Sequence, residues 1–144
     1  MKKNSDINLP NELGVDYGEM NVGLALGNNG VVSPLKIISN KNSNSALYDI
    51  NRIVVENKIG TIILGLPLMP DGKETSESLK IRKFAKQLKI VTKRPVIFQN
   101  ESDTSKQALK EAIDLEIPKK RRGTNDHLAA ALILKRYYEE NIGE

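Results

Sequence analysis

The apolar positions of this chain form short runs at first and then stripes spaced three and four residues apart. Leu13-Gly14-Val15 ends on a single carboxylate, Asp16. A Tyr-Gly step and a polar turn through Glu19 and Asn21 separate it from a second run, Val22 to Leu26. Asn28-Asn29-Gly30 is a turn signal, and Val31 to Ile38 follows it. These runs predict a three-stranded antiparallel meander. Pro34, inside the third run, predicts an edge position or a bulge, because proline donates no ladder hydrogen bond.

Helical spacing begins after a Ser/Asn/Lys loop, Ser39 to Ser45, in which Asn44 or Ser45 is available as an N-cap. Leu47, Ile50, Ile53 and Val54 carry that spacing to near Lys58. Thr61-Ile62-Ile63-Leu64 has no polar alternation, which predicts a strand covered on both faces. It leads into Gly65-Leu66-Pro67-Leu68-Met69-Pro70-Asp71-Gly72, predicted as a rigid loop that is either an elbow or the wall of a groove. A second helix is predicted over roughly Glu74 to Lys89, with Ile81, Phe84, Ala85 and Leu88 on one stripe. Pro95-Val96-Ile97-Phe98 predicts another short buried strand. Thr104 with Gln107 resembles a capping box opening a further helix. A basic loop, Pro118 to Gly123, precedes a last helix that starts near Asn125.

That order predicts an α/β fold: a five-stranded mixed sheet, a three-strand antiparallel meander plus two parallel strands, with helices on both faces. Residues 1–12 show no period and are expected to be a mobile polar tail; residues 13–144 are expected to form one domain. At 144 residues the chain is long enough to bury a sizeable core. No run is long enough to span a membrane and no apolar signal core follows the first lysines, so a cytoplasmic location is expected.

With no cysteine and a single histidine, His127, thiol chemistry and multi-histidine metal sites are excluded. A bound metal would rest on oxygen ligands, which suits Mg²⁺ or Mn²⁺. The formal net charge of +4 weakly favours a polyanionic partner.

Three carboxylates stand where chemistry is expected in such a sheet: Asp16 and Glu101 at strand ends, and Asp126 at the start of the last helix. Together they could hold one or two divalent cations. Taken singly, Asp16 is a turn acid, Glu101 an exposed loop acid, and Asp126 an acid favoured by the helix macrodipole. Ala129, Ala130 and Ile133 share the face of Asp126, so small side chains would let that helix approach the sheet beside the acid. Lys119, Lys120, Arg121 and Arg122 read either as a grip for backbone phosphates or as a solvated charge run. His127 lies about 100° around the helix from Asp126 and is expected at the surface. Asp71 and Asp103 are expected to be turn or capping acids.

GVDYGEMNVGLAL, ILGLPLMPDG, Asn100-Glu101-Ser102, the basic loop and NDHLAAALIL resemble the YqgF/RuvX-type family in order and spacing, over roughly Leu13 to Tyr138. That family is described as pre-16S rRNA nucleases or Holliday-junction-resolvase-like enzymes. The resemblance implies an RNase H-like fold, with Asp16, Glu101 and Asp126 matching the family's three acidic positions and Mg²⁺ or Mn²⁺ as cofactor. It implies a phosphodiester-hydrolysing nuclease acting on an rRNA precursor or branched DNA, with ribosomal particles as further partners and a monomer or homodimer as the working form. Asn21 stands where the family usually carries arginine, and Asn100-Glu101-Ser102 replaces its Asp-Glu-Arg triplet. A module that binds nucleic acid or ribosomes with weakened catalysis is therefore the rival expectation. A nucleotide-binding domain of the actin and sugar-kinase type ranks last, since one domain lacks the second lobe that encloses a nucleotide.

Overall fold

The computed structural model describes residues 10–101 and 125–141, with side chains of the final helix described from Leu128 onward. Residues 1–9 of the predicted tail, the helix opened by Thr104, the loop acid Asp103 and the basic loop lie outside the described residues.

The first three runs form β1 (Asn11–Tyr17), β2 (Asn21–Asn28) and β3 (Val31–Ser39), paired antiparallel. The β2–β3 turn places Asn29 at φ 53° and Gly30 at φ 87°, the double positive φ of a two-residue hairpin that matches strand twist. The apolar run after the first helix becomes β4 (Ile59–Leu66), parallel to β1, and β5 (Val96–Asn100) adds parallel to β4. Strand order is β3-β2-β1-β4-β5. Both expectations for Pro34 are met. β3 is an edge strand, and the ladder slips where Leu24 pairs with Lys36 and Ala25 with Pro34, leaving Leu35 as the bulged residue.

Helix α1 (Ser43–Glu56) is capped by Asn42, whose Oδ1 accepts from the Ser45 amide at 3.0 Å. Helix α2 (Ser76–Thr92) opens on a capping box in which Thr75 and Ser78 each accept from the other's backbone amide. Helix α3 (Asn125–Asn141) is the last described element. Among the described residues, no helix is long and apolar enough to cross a membrane.

The alternation of β1 and β4 sorts the core into two layers. Leu13, Val15, Ile62 and Leu64 face α1 and α2 with Ile50, Ile53, Ile81 and Leu88. Ala25 and Ile63 face α3 with Ala130, Ile133 and Leu134. Helices thus cover both faces. Truncating one of these buried side chains to alanine typically costs about 2–5 kcal/mol.

Four expectations shift. The N-cap of α1 is Asn42, so Asn44 and Ser45 lie inside the helix. Asn11 and Glu12 belong to β1 rather than to a tail: the Asn11 amide donates to the Lys58 carbonyl at 3.1 Å, and its side-chain amide to that of Asn57 at 2.6 Å. Gly65 and Leu66 continue β4 instead of starting the proline-rich loop. β5 is not buried. Among the described residues it is the outer strand, paired with β4 alone, and Ile97 and Phe98 are 39% and 36% exposed.

Candidate active site

Glycines decide how closely α3 approaches the sheet. A β-carbon on Gly14 would lie 2.7 Å from the Ala130 carbonyl oxygen and 2.7 Å from Leu134 Cγ. One strand over, a β-carbon on Gly27 would stand 3.1 Å from two ring carbons of Tyr138. The Tyr138 hydroxyl donates to the Glu12 carboxylate, and burial together with that bond pushes its pKa well above the ordinary phenol value. Helix α3 therefore runs over β1 with Tyr138 near Glu12 and Ala130 near Gly14.

Residues 12, 14 and 16 of a strand share one face. Asp16, half-buried at the end of β1, thus lies on the α3 side. Ala130, Leu134 and Tyr138 form a stripe spaced by four. Continued one turn, about 5.4 Å, towards the helix N-terminus, that stripe reaches position 126, at the Asp16 end of β1. The side chains of Asp126 and His127 lie outside the described residues. Of the small-residue face predicted for this helix, Ala130 packs on Gly14, whereas Ala129 is half-buried.

Glu101 arrives from the other side. Its amide donates to the Leu66 carbonyl at 3.2 Å, extending the β4–β5 ladder by one step. Its carboxylate folds back over Gly65, against Ile133 of α3, and its Oε1 is buried. A β-carbon on Gly65 would sit 2.8 Å from Glu101 Cδ and 2.5 Å from Ile133 Cδ1, and would overlap Oε1 itself. Val15 pairs with Leu64, so the next step along both strands sets Asp16 beside Gly65. β1 and β5 are two strand spacings apart, on the order of 10 Å. By lying across Gly65, the Glu101 side chain spans part of that gap.

Two of the three predicted acids therefore share one face at the carboxyl ends of parallel strands, beneath the helix that carries the third. Among the described residues no group of three His, Cys, Asp or Glu side chains is gathered. The donors in place are carboxylate oxygens, one of them buried in a cradle that any side chain at position 65 would fill. That set fits a hard divalent cation. The sequence signal for Gly65 is slight, a lone glycine closing an otherwise apolar, β-branched run.

Of the remaining predicted positions, Asn100 is exposed at the end of β5, and Ser102, Lys119, Lys120, Arg121 and Arg122 lie outside the described residues. Asp71 is a turn acid, its Oδ1 accepting from the Lys73 amide at 3.0 Å. Asn21 borders a cavity of about 490 Å³ at the β1–β2 turn, with Tyr17, Met20, Ser76 and Lys80. Lys80 donates to Glu19 across its mouth; the mutual bond raises the lysine's pKa and lowers the glutamate's. The cation at this turn thus comes from α2, where the hairpin carries asparagine.

The model of the family described as RuvX: Holliday junction resolvase matches residues 11–140. A protein of Orientia tsutsugamushi named "Putative pre-16S rRNA nuclease" is 36% identical over 126 residues, 85% of this chain and 80% of that one. Two solved structures share the fold at low identity. Fowlpox virus Holliday junction resolvase superposes with a TM-score of 0.57 at 20% identity, over 92% of this chain and 99% of that one. Thermus thermophilus RuvC in complex with Holliday junction substrate gives 0.56 at 14%, over 94% and 98%. The fold is RNase H-like.

Proposed function

The chain belongs to the RuvX Holliday junction resolvase family, and from that membership we propose that it is a metal-dependent endonuclease hydrolysing phosphodiesters of structured RNA, its reaction being 5′-end processing of pre-16S rRNA in the cytoplasm. The observation that carries the reading is the Glu101 carboxylate folded over Gly65 towards the face of Asp16, under the N-terminal end of α3.

In this reading Asp16, Glu101 and Asp126 hold Mg²⁺ or Mn²⁺. Such an ion, when bound, supplies an activated water and neutralises charge on the phosphate under attack. The chain's own contribution is positioning. Asp16 is fixed by β1 at the sheet end, and Glu101 by the hydrogen bond its backbone N–H donates to the Leu66 carbonyl and by the space above Gly65. The N-terminus of α3 adds partial positive charge that favours carboxylates around it. Lys119 to Arg122 would hold backbone phosphates on either side of the scissile bond.

The test is cleavage of a pre-16S rRNA fragment with Mg²⁺ or Mn²⁺, comparing wild type with Asp16→Asn and Glu101→Gln. Both substitutions keep shape and remove charge, and both are expected to abolish cutting. Equal cleavage by wild type and Asp16→Asn would sink the assignment.

The family's name favours a second reading, resolution of branched DNA. Paired cuts across a four-way junction require a symmetric dimer. A strictly monomeric chain that cuts rRNA precursor and leaves junctions intact decides for the first reading. A protein that binds RNA but takes up no Mn²⁺ would instead be a nucleic-acid or ribosome-binding module.

A further inference from the structure

Arg82, Lys86 and Lys89 recur at i, i+4 and i+7 on α2 and so share one stripe. With Ala85, Val96 and Phe98 they line a cleft of about 220 Å³ between that helix and the outer strand β5. The Arg82 guanidinium lies over the Phe98 ring, 5.0 Å from its centroid, and is held there by two hydrogen bonds to Glu74 at 2.9 and 2.7 Å. Lys86 and Lys89 are exposed, and neither has an ion-pair partner among the described residues. An aromatic ring open to solvent, backed by an arginine and flanked by two lysines, combines a stacking platform with a grip for phosphates.

We propose that this cleft binds single-stranded nucleic acid continuous with the strand being cut, one base stacking on Phe98 and backbone phosphates meeting Lys86 and Lys89. The proposal rests on the nuclease reading and names the substrate form that the site accepts. Phe98 lies three residues before Glu101, about 10 Å along the strand. Phe98 faces α2, whereas the Glu101 carboxylate lies on the α3 face. A nucleic acid touching both must round the outer edge of β5, which among the described residues pairs with β4 alone. Duplex DNA, with a persistence length of about 50 nm, resists so sharp a turn; a single strand follows it.

Fluorescence anisotropy on the full chain in EDTA tests this, with a labelled twelve-nucleotide uridine RNA and an RNA duplex of the same length as probes. Phe98→Leu keeps apolar bulk and removes the stacking face, and is expected to weaken single-strand binding about tenfold while leaving duplex binding unchanged. Lys86→Gln with Lys89→Gln alters only exposed side chains and is expected to reduce the single-strand salt slope by about 1.4, at ~0.7 per phosphate. Unchanged single-strand affinity in Phe98→Leu, or an equal loss for duplex, overturns the proposal. So does a wild type that ignores single strands, as it would if an extended peptide were the occupant of β5. Because EDTA removes cleavage from the readout, a Phe98 effect in a protein that never cuts RNA supports this cleft while overturning the nuclease assignment.

Discussion

Glu101 occupies the space in which Gly65 would carry a side chain: its carboxylate lies over the glycine, with Ile133 closing the cradle from α3. Position 65 therefore controls where the acid stands. Gly65→Ala must move either the carboxylate or the helix, and a misplacement of about 1 Å can cost ~10²-fold in rate. We expect cleavage by Gly65→Ala to fall by about that factor while urea denaturation still shows a cooperative fold. Wild-type kcat in Gly65→Ala would show that Glu101 tolerates displacement and takes no part in catalysis.

Gly14 sets the height of α3 above β1. A methyl group there would press on backbone, the Ala130 carbonyl, as well as on Leu134. Because backbone yields less readily than a flexible side chain, Gly14→Ala is expected to destabilise by about 1–3 kcal/mol, the usual cost of overpacking. The urea midpoint should fall with an unchanged m-value.

Tyr138 ties the far end of α3 to Glu12. Tyr138→Phe is expected to cost about 1–3 kcal/mol near neutral pH, since a part-buried acceptor loses its donor. Its pH dependence is a separate readout. The folded pKa lies above the ordinary 10.0, so this contribution is full below pH 10 and is lost as pH rises beyond it. Wild-type stability should decline above pH 10 with a slope that Tyr138→Phe lacks, measurable as Tm in alkaline buffers.

Glu74 gives the opposite sign. Hydrogen bonds from Arg82 and Ser78 hold its carboxyl at about 2, against an ordinary 4.5. Its contribution is present above pH 4.5 and disappears as pH falls towards 2. The Tm difference between wild type and Glu74→Gln should narrow over that window. A difference that stays constant there would mean the carboxylate is not held by Arg82 in solution.

Much of the scaffold was legible because its signals are local. Asn29-Gly30 names its own turn, Pro34 its own irregularity, and Thr61 to Leu64 its own double burial. What depends on neighbours was not. The sequence Val96-Ile97-Phe98 reads as buried, yet nothing in it tells that β5 is the outermost of the described strands. Asn11 and Glu12 look like tail because their partners, Lys58 and Tyr138, lie far along the chain. Asp16 and Glu101 were found as acids at strand ends. The glycine between them became meaningful only when register set Gly65 beside Asp16.

The slip at Pro34 has a consequence beyond the geometry of β3. An edge strand presents a row of open backbone groups, a template on which other chains can stack into aggregates. Here the outermost strand of the meander carries a residue that cannot donate and a bulge at Leu35 that breaks the repeat. The exposed flank of the hairpin half is therefore protected against self-association, and Pro34→Val, which restores the missing backbone donor, should lower solubility before it lowers stability.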